Sequence, residues 1–294
     1  MKQKVSLVLS GGGARGIAHI GVIEELEKQG YEICSVTGTS MGALVGGIYA
    51  LGKLEEYKNW LFTLDKLKIF SLIDFSFSSQ GLIKGDRVFS KMKEFISDKN
   101  IEDLEISYAA VAVDIVNKKE VLLNRGSIYE AIRASIAIPT VFTPLKIENS
   151  LFIDGGVLNN IPINYARRSP GDLLIAVNVN ADIAVYKPVQ LKKEIENNQS
   201  IYKKKIKDFK SHLQTITHSR SKEELDYFNL INKTISLMTG RIAQSIIEKY
   251  PPDILINISK KSCETFDFYK AEEMVEIGRY SAINFLERHR KSFQ

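Results

Sequence analysis

Two glycine motifs and one aspartate hold the residues of this chain that could do chemistry. Gly38-Thr39-Ser40-Met41-Gly42 has the G-x-S-x-G spacing of a nucleophile elbow. There a tight strand-to-helix turn pushes the serine out, and near-absent side chains on either side make the turn possible. The same spelling also fits an ordinary turn with a Ser or Thr N-cap. Gly11, Gly12 and Gly13 stand in a row, followed by Arg15 and Gly16. Three glycines offer only backbone, so their N–H groups would hold either a phosphate or the oxyanion of an acyl transfer. Gly11, Gly13 and Gly16 also spell G-x-G-x-x-G, the dinucleotide fingerprint. That fingerprint expects an acid about 20 residues on, at the end of the second strand. The strand ends Val36-Thr37-Gly38-Thr39 without one, and Glu32 lies at its wrong end. No Gly-Lys-Ser/Thr follows, which excludes a P-loop. The oxyanion reading is favoured over nucleotide binding.

An attacking serine needs a base. Asp154 follows the apolar run Leu151-Phe152-Ile153 and precedes Gly155 and Gly156. Read alone, an Asp-Gly pair is simply a turn. His19 sits on the helix leaving the glycine loop, where packing or a local hydrogen bond is its expected role. His212, His218 and His289 have no glycine-bounded or strand-terminal context, which disfavours a Ser-Asp-His order. No Cys/His cluster has zinc spacing, and no cofactor is expected.

The elements that must position these residues alternate as in a parallel α/β sheet. Strands are predicted at Val5–Leu9, Ile33–Thr37, Ser107–Asp114, Leu151–Ile153, Leu173–Val179 and Ile254–Ser259. Helices are predicted at Gly16–Gln29, Ala43–Leu51, Asp86–Ser97, Ile128–Ser135 and Phe268–Arg288. Glycine loop and Ser40 end successive strands, so parallel pairing would set the two turns side by side. A helical insertion is predicted over 181–250 before the chain returns to the sheet. There is no repeat or low-complexity linker, so 1–294 reads as one domain.

Hydrophobic residues make up 44% and charged residues 26%, as in a globular protein with a sizeable core. No run reaches the roughly 18 apolar residues of a membrane span. The apolar stretch after Lys4 is too short for a signal peptide. Two cysteines, Cys34 and Cys263, give no disulfide framework and make a reducing cytoplasm the default; Cys34 reads as a core residue. The net charge is +5, and eight lysines against three acids between Lys187 and Lys210 account for all of it. That argues against a general nucleic-acid binder and for one local basic surface. Between Val189 and Thr215, Ile195, Tyr202, Ile206, Phe209 and Leu213 recur at helical spacing. This amphipathic pattern fits a surface helix with solvated lysines, or a peripheral contact with anionic membrane. Phe70–Gly85 mixes Phe70, Phe75, Phe77, Leu82 and Ile83 with Ser and Gly, as an acyl-binding wall, a lid, or plain core and loop would.

GGGARG, GTSMG and DGG in this order resemble the patatin-like phospholipases. The stretches Arg133–Leu145 (RASIAIPTVFTPL) and NNIP after the DGG match that family's pattern too. The resemblance runs from about Val5 to Asn178 and resumes from Asp253. It implies a three-layer α/β/α fold with a mainly parallel central sheet. It also implies a lipid acyl hydrolase acting on phospholipid or another acyl ester. Ser40 would be the nucleophile and Asp154 the base of a dyad, with Gly11, Gly12 and Gly13 as oxyanion hole. Gly16, Gly38, Gly42, Gly155 and Gly156 would support them. Arg15 would either brace the loop or offset a substrate phosphate, with bracing favoured. A nucleotide-binding protein and a non-catalytic family member remain the rival classes; oligomeric state is not readable.

Overall fold

The computed structural model describes residues 2–72, 74–78, 81–185 and 227–291. The Lys187–Lys210 run, the Val189–Thr215 pattern, His212 and His218 lie outside these residues. The centre is an eight-stranded sheet. Its parallel part joins β1 (Gln3–Leu9), β2 (Tyr31–Thr39), β5 (Ser107–Asp114), β9 (Leu173–Ala181) and β10 (Ile254–Ser259). An antiparallel arm adds β6 (Lys119–Leu123), β7 (Leu145–Ile147) and β8 (Ser150–Asp154). The order is β10-β9-β1-β2-β5-β8-β7, with β6 also on β5.

β1 lies inside the sheet with β2 and β9 on its two sides, and its last five residues are buried. Such a strand must be apolar on both faces, which is why Val5–Leu9 reads as a near-continuous apolar run. Val5, Leu7 and Leu9 point into the larger core, under α1 (Ala18–Lys28), α2 (Met41–Ala50) and α8 (Ala271–Lys291). Val8 points the other way, joining Ile161, Ile163, Leu174, Ala176 and Ala243 of α7 (Tyr227–Lys249). Helices thus cover both faces and the fold is three-layered, α/β/α. α1 and α8 touch backbone to backbone: a Cβ on Gly278 would lie 1.9 Å from the Ala18 carbonyl oxygen. That contact fixes the helix leading out of the glycine loop.

The helix expected from Gly16 opens instead as a 3-10 turn over Gly13–Ile17 before α1 begins. α5 (Asp86–Lys93) stops short of Ser97. Two helices escaped sequence pattern, α3 (Leu54–Phe62) and α4 (Lys66–Leu72). Within Phe70–Gly85 the backbone forms a separate hairpin, β3 (Phe75–Ser78) with β4 (Gly81–Ile83). Asp74 pins its base by accepting from the N–H groups of Gly85 and Asp86. Cys34 is half-buried rather than core, because the neighbouring Ile33 takes the inward-facing place on β2. Among the described residues no helix is long and apolar enough to cross a membrane.

Candidate active site

Strand register brings the three motifs to one edge of the sheet. Leu9 pairs with Gly38, so the glycine loop after β1 and Ser40 after β2 emerge side by side. Thr39 pairs with Val111 on β5, and the next residue of β5, Ala112, pairs with Asp154 at the end of β8. The reversed direction of β8 is what delivers Asp154 to the level of Ser40.

Ser40 has the backbone of a strained elbow, with φ 54° and ψ −122°. Positive φ is uncommon for a residue with a Cβ and persists only where the surroundings enforce it. They do so here through close packing. A Cβ on Gly42 would lie 2.2 Å from the Leu9 carbonyl oxygen, and one on Gly38 would meet Gly42 and Ala43 at 2.5 Å. The Ser40 N–H donates to Ser135 Oγ at 2.8 Å, and Ser135 Oγ donates to the Val111 carbonyl at 2.6 Å. Ser135 is fully buried, so this pair of bonds runs through dry protein.

Asp154 is only 6% exposed and Ser40 only 5%. Ser40 lies close enough to Asp154 to favour the charged form of its carboxyl. The Gly156 N–H donates to Asp154 Oδ1 at 2.7 Å, and the Asp154 N–H donates to the Ala137 carbonyl at 2.9 Å. Burial pushes the carboxyl up to about 6, against the nearby Ser40 and the Gly156 N–H, which favour the charged form. A buried carboxylate of this kind is a far better proton acceptor than an ordinary one.

The glycine loop is braced on several sides. Arg15 donates to Asn180 Oδ1 at 3.0 Å and to the Cys263 carbonyl at 3.2 Å. Asn180 Nδ2 in turn donates to the Gly11 carbonyl at 2.6 Å. The Arg15 guanidinium is thus engaged with protein. The Ala14 N–H donates to the Thr265 carbonyl at 2.8 Å. Gly16 lies in the 3-10 turn against Met41. Gly155 and Gly156 form the turn after β8. Gly11 departs from the expected role of oxyanion donor: its N–H is spent on the Asn160 carbonyl at 2.9 Å. No described residue accepts from the N–H of Gly12 or Gly13.

His19 is fully buried behind the loop, and burial pushes its imidazole down to about 4. The neutral ring bonds the Ser10 carbonyl through Nε2 at 2.8 Å, so Nε2 carries the proton. It packs and braces, as its helical position suggested.

Sequence reasoning did not single out Ser135, Asn159, Asn160 or Asn180. The first three sit in the quoted stretches RASIAIP and NNIP, but nothing in the spelling shows which atoms they hold. The Asn159 carbonyl accepts from Thr39 Oγ1 at 2.9 Å and the Asn160 carbonyl from Gly11. Their joint effect is to tie the Asp154 turn to both glycine loops.

Comparison with known proteins adds four findings. A family model described as patatin-like phospholipase matches residues 7–167. An uncharacterised NTE family protein of Mycobacterium tuberculosis strain H37Rv is 30% identical, covering 97% of this chain and 91% of that protein. Lysophospholipase NTE1 of Saccharomyces cerevisiae is 26% identical over 94% of this chain and 16% of its own length. Among solved structures, that of VipD from Legionella pneumophila superposes with TM-score 0.50 at 14% identity, covering 98% of this chain and 67% of that one. That likeness concerns the fold.

Proposed function

Since this chain belongs to the patatin-like phospholipase family, and so to lipid hydrolases, we propose that it cleaves lipid carboxylic esters with Ser40 and Asp154 as a two-residue catalytic unit. The observation that carries this reading is that strand register sets Ser40, on its strained elbow, beside a buried carboxyl pushed up to about 6. Ser40 Oγ attacks the ester carbonyl as Asp154 takes its proton. The carbonyl oxygen becomes an oxyanion facing the N–H groups of Gly12 and Gly13. Collapse of this intermediate breaks the ester C–O bond, and Asp154 returns the proton to the departing alcohol. The acyl-serine then reverses the sequence with water: Asp154 takes a proton from it, and the fatty acid leaves as Ser40 regains its hydrogen. The name of the yeast relative makes a phospholipid or lysophospholipid the substrate class to test first.

Ser40 backbone strain supports the reading, because a non-glycine at this φ is maintained by packing on every side. A nucleotide reading lacks comparable support: Arg15, its nearest cation, is committed to Asn180 and Cys263. Labelling with a fluorophosphonate ester tests the proposal. Wild type should label and hydrolyse a short p-nitrophenyl ester, while Ser40→Ala does neither and Asp154→Asn loses nearly all of both. Wild-type protein that stays unlabelled would refute it and leave a binding protein on the same fold.

A further inference from the structure

We propose that Phe62, Leu67, Phe70, Phe266 and Tyr269 form the face by which this protein docks on a lipid surface, a reading that rests on the lipid hydrolysis proposed above. α4 has the sequence Lys-Leu-Lys-Ile-Phe-Ser-Leu, and none of its residues is fully buried. Leu67 is 82% and Phe70 64% exposed, and Phe266 on the loop before α8 is 53% exposed. Phe62 at the end of α3 and Tyr269 are each exposed as well. The elements that carry these side chains meet. α3 and α4 both pack on the turn Phe268–Lys270, and the Lys66 ammonium lies 4.5 Å above the Tyr269 ring. Single exposed apolar residues are common, but a cluster of large ones marks a contact surface.

Two observations say what covers it. The first is position. Phe266 directly follows Thr265, whose carbonyl holds the Ala14 N–H and lies 2.4 Å from where a Gly13 Cβ would stand. The face and the candidate oxyanion loop therefore share a wall. A molecule held at this face therefore lies beside the loop that follows β1, and the substrate proposed for the Ser40 site is itself an amphiphile.

The second is composition. On the elements that carry the face, Lys66, Lys68 and Lys270 stand against Asp65, Glu264 and Asp267, and Asp267 is bridged to Lys270. The charges nearly balance. Large apolar side chains within a rim of lysines and self-paired charge suit the boundary between headgroups and acyl chains. Because attraction to anionic lipid is not the main term, binding should extend to zwitterionic vesicles and respond weakly to salt.

The test uses vesicles of phosphatidylcholine. Trp60 is the sole native tryptophan, so Phe266→Trp adds one reporter at the face. The added indole should emit as a water-exposed group in the free protein and shift to the blue on mixing with vesicles. The double change Leu67→Glu with Phe266→Glu should weaken vesicle cosedimentation by at least about tenfold. Hydrolysis of a soluble short ester should stay within about twofold of wild type, since both residues lie outside the reacting groups. Ser40→Ala keeps vesicle binding while losing hydrolysis, which separates this inference from the catalytic one. If wild type binds vesicles but never turns over an ester, the docking face stands and the hydrolase reading falls. Cosedimentation unchanged by the double change overturns the docking face. So does emission from the Phe266→Trp variant that is already blue without vesicles, which would mean that the face is covered in the free protein. A dimer in solution that the double change dissociates overturns it too, by assigning the face to a second copy.

Discussion

Hydrolysis should fall about tenfold when the pH drops from 7 to 5, with the transition centred near 6. The group that matters is Asp154, because only its ionised form can take the Ser40 proton. Burial pushes that carboxyl up to about 6. Mass action then leaves about one-tenth of it ionised at pH 5, and about one-hundredth at pH 4. The assay is kcat/KM on a soluble short ester across pH 4.5 to 8. His19 supplies the contrast. If that imidazole were the base, its displacement down to about 4 would leave the rate at pH 5 nearly undiminished. A profile flat to pH 5 therefore refutes the dyad. The same carboxyl carries a stability signature of opposite benefit. Its folded form holds a proton to higher pH than the unfolded chain, whose carboxyl titrates near 3.8. Stability consequently declines as pH rises through the window from about 4 to about 6, by roughly 3 kcal/mol in total. Asp154→Asn should be more stable than wild type in urea at pH 7 by up to about that amount, and no more stable near pH 4.

Replacing Ser40 by glycine should abolish turnover yet exceed Ser40→Ala in stability by about 1–3 kcal/mol, since glycine accepts the positive φ without strain; equal urea midpoints would deny that strain. Ser135→Ala removes the buried acceptor of the Ser40 N–H, which costs about 1–3 kcal/mol. It should lower kcat with KM for a soluble ester nearly unchanged, and full kcat would show that the bond is irrelevant to the nucleophile. Gly42→Ala drives a methyl into the Leu9 carbonyl and should prevent recovery of folded protein. Gly240→Ala, on α7 with open space around it, should instead raise stability by about 0.5–1 kcal/mol in the same denaturation assay.

The parallel half of the sheet was legible because β1 and β2 are apolar runs that end in glycine turns, a local signal that survives any tertiary context. Their side-by-side placement followed from parallel pairing alone. The antiparallel arm was not legible beyond β8. β6 opens with Lys119-Glu120 and β7 is three residues long, so neither has a period to detect. The site divides along similar lines. Ser40 and Asp154 stand in glycine-bounded turns that the sequence singles out, and strand register brings those turns together. That the Gly11 N–H would meet the Asn160 carbonyl was not legible, because that acceptor comes from a segment far along the chain. Ser135 was unreadable for the same reason: a helical serine says nothing of whose N–H it will accept.

Asn159 and Asn160 present consecutive carbonyls to two different loops, one to Thr39 and one to Gly11. A single peptide segment therefore works as a clasp. Rotating it away from either loop would break its bond to the other as well, which couples the elbow and the glycine loop through the Asp154 turn. Local unfolding in such a region is cooperative, and its amides exchange with solvent in one event. A half-formed site with Ser40 activated beside a slack glycine loop is the state that this clasp suppresses.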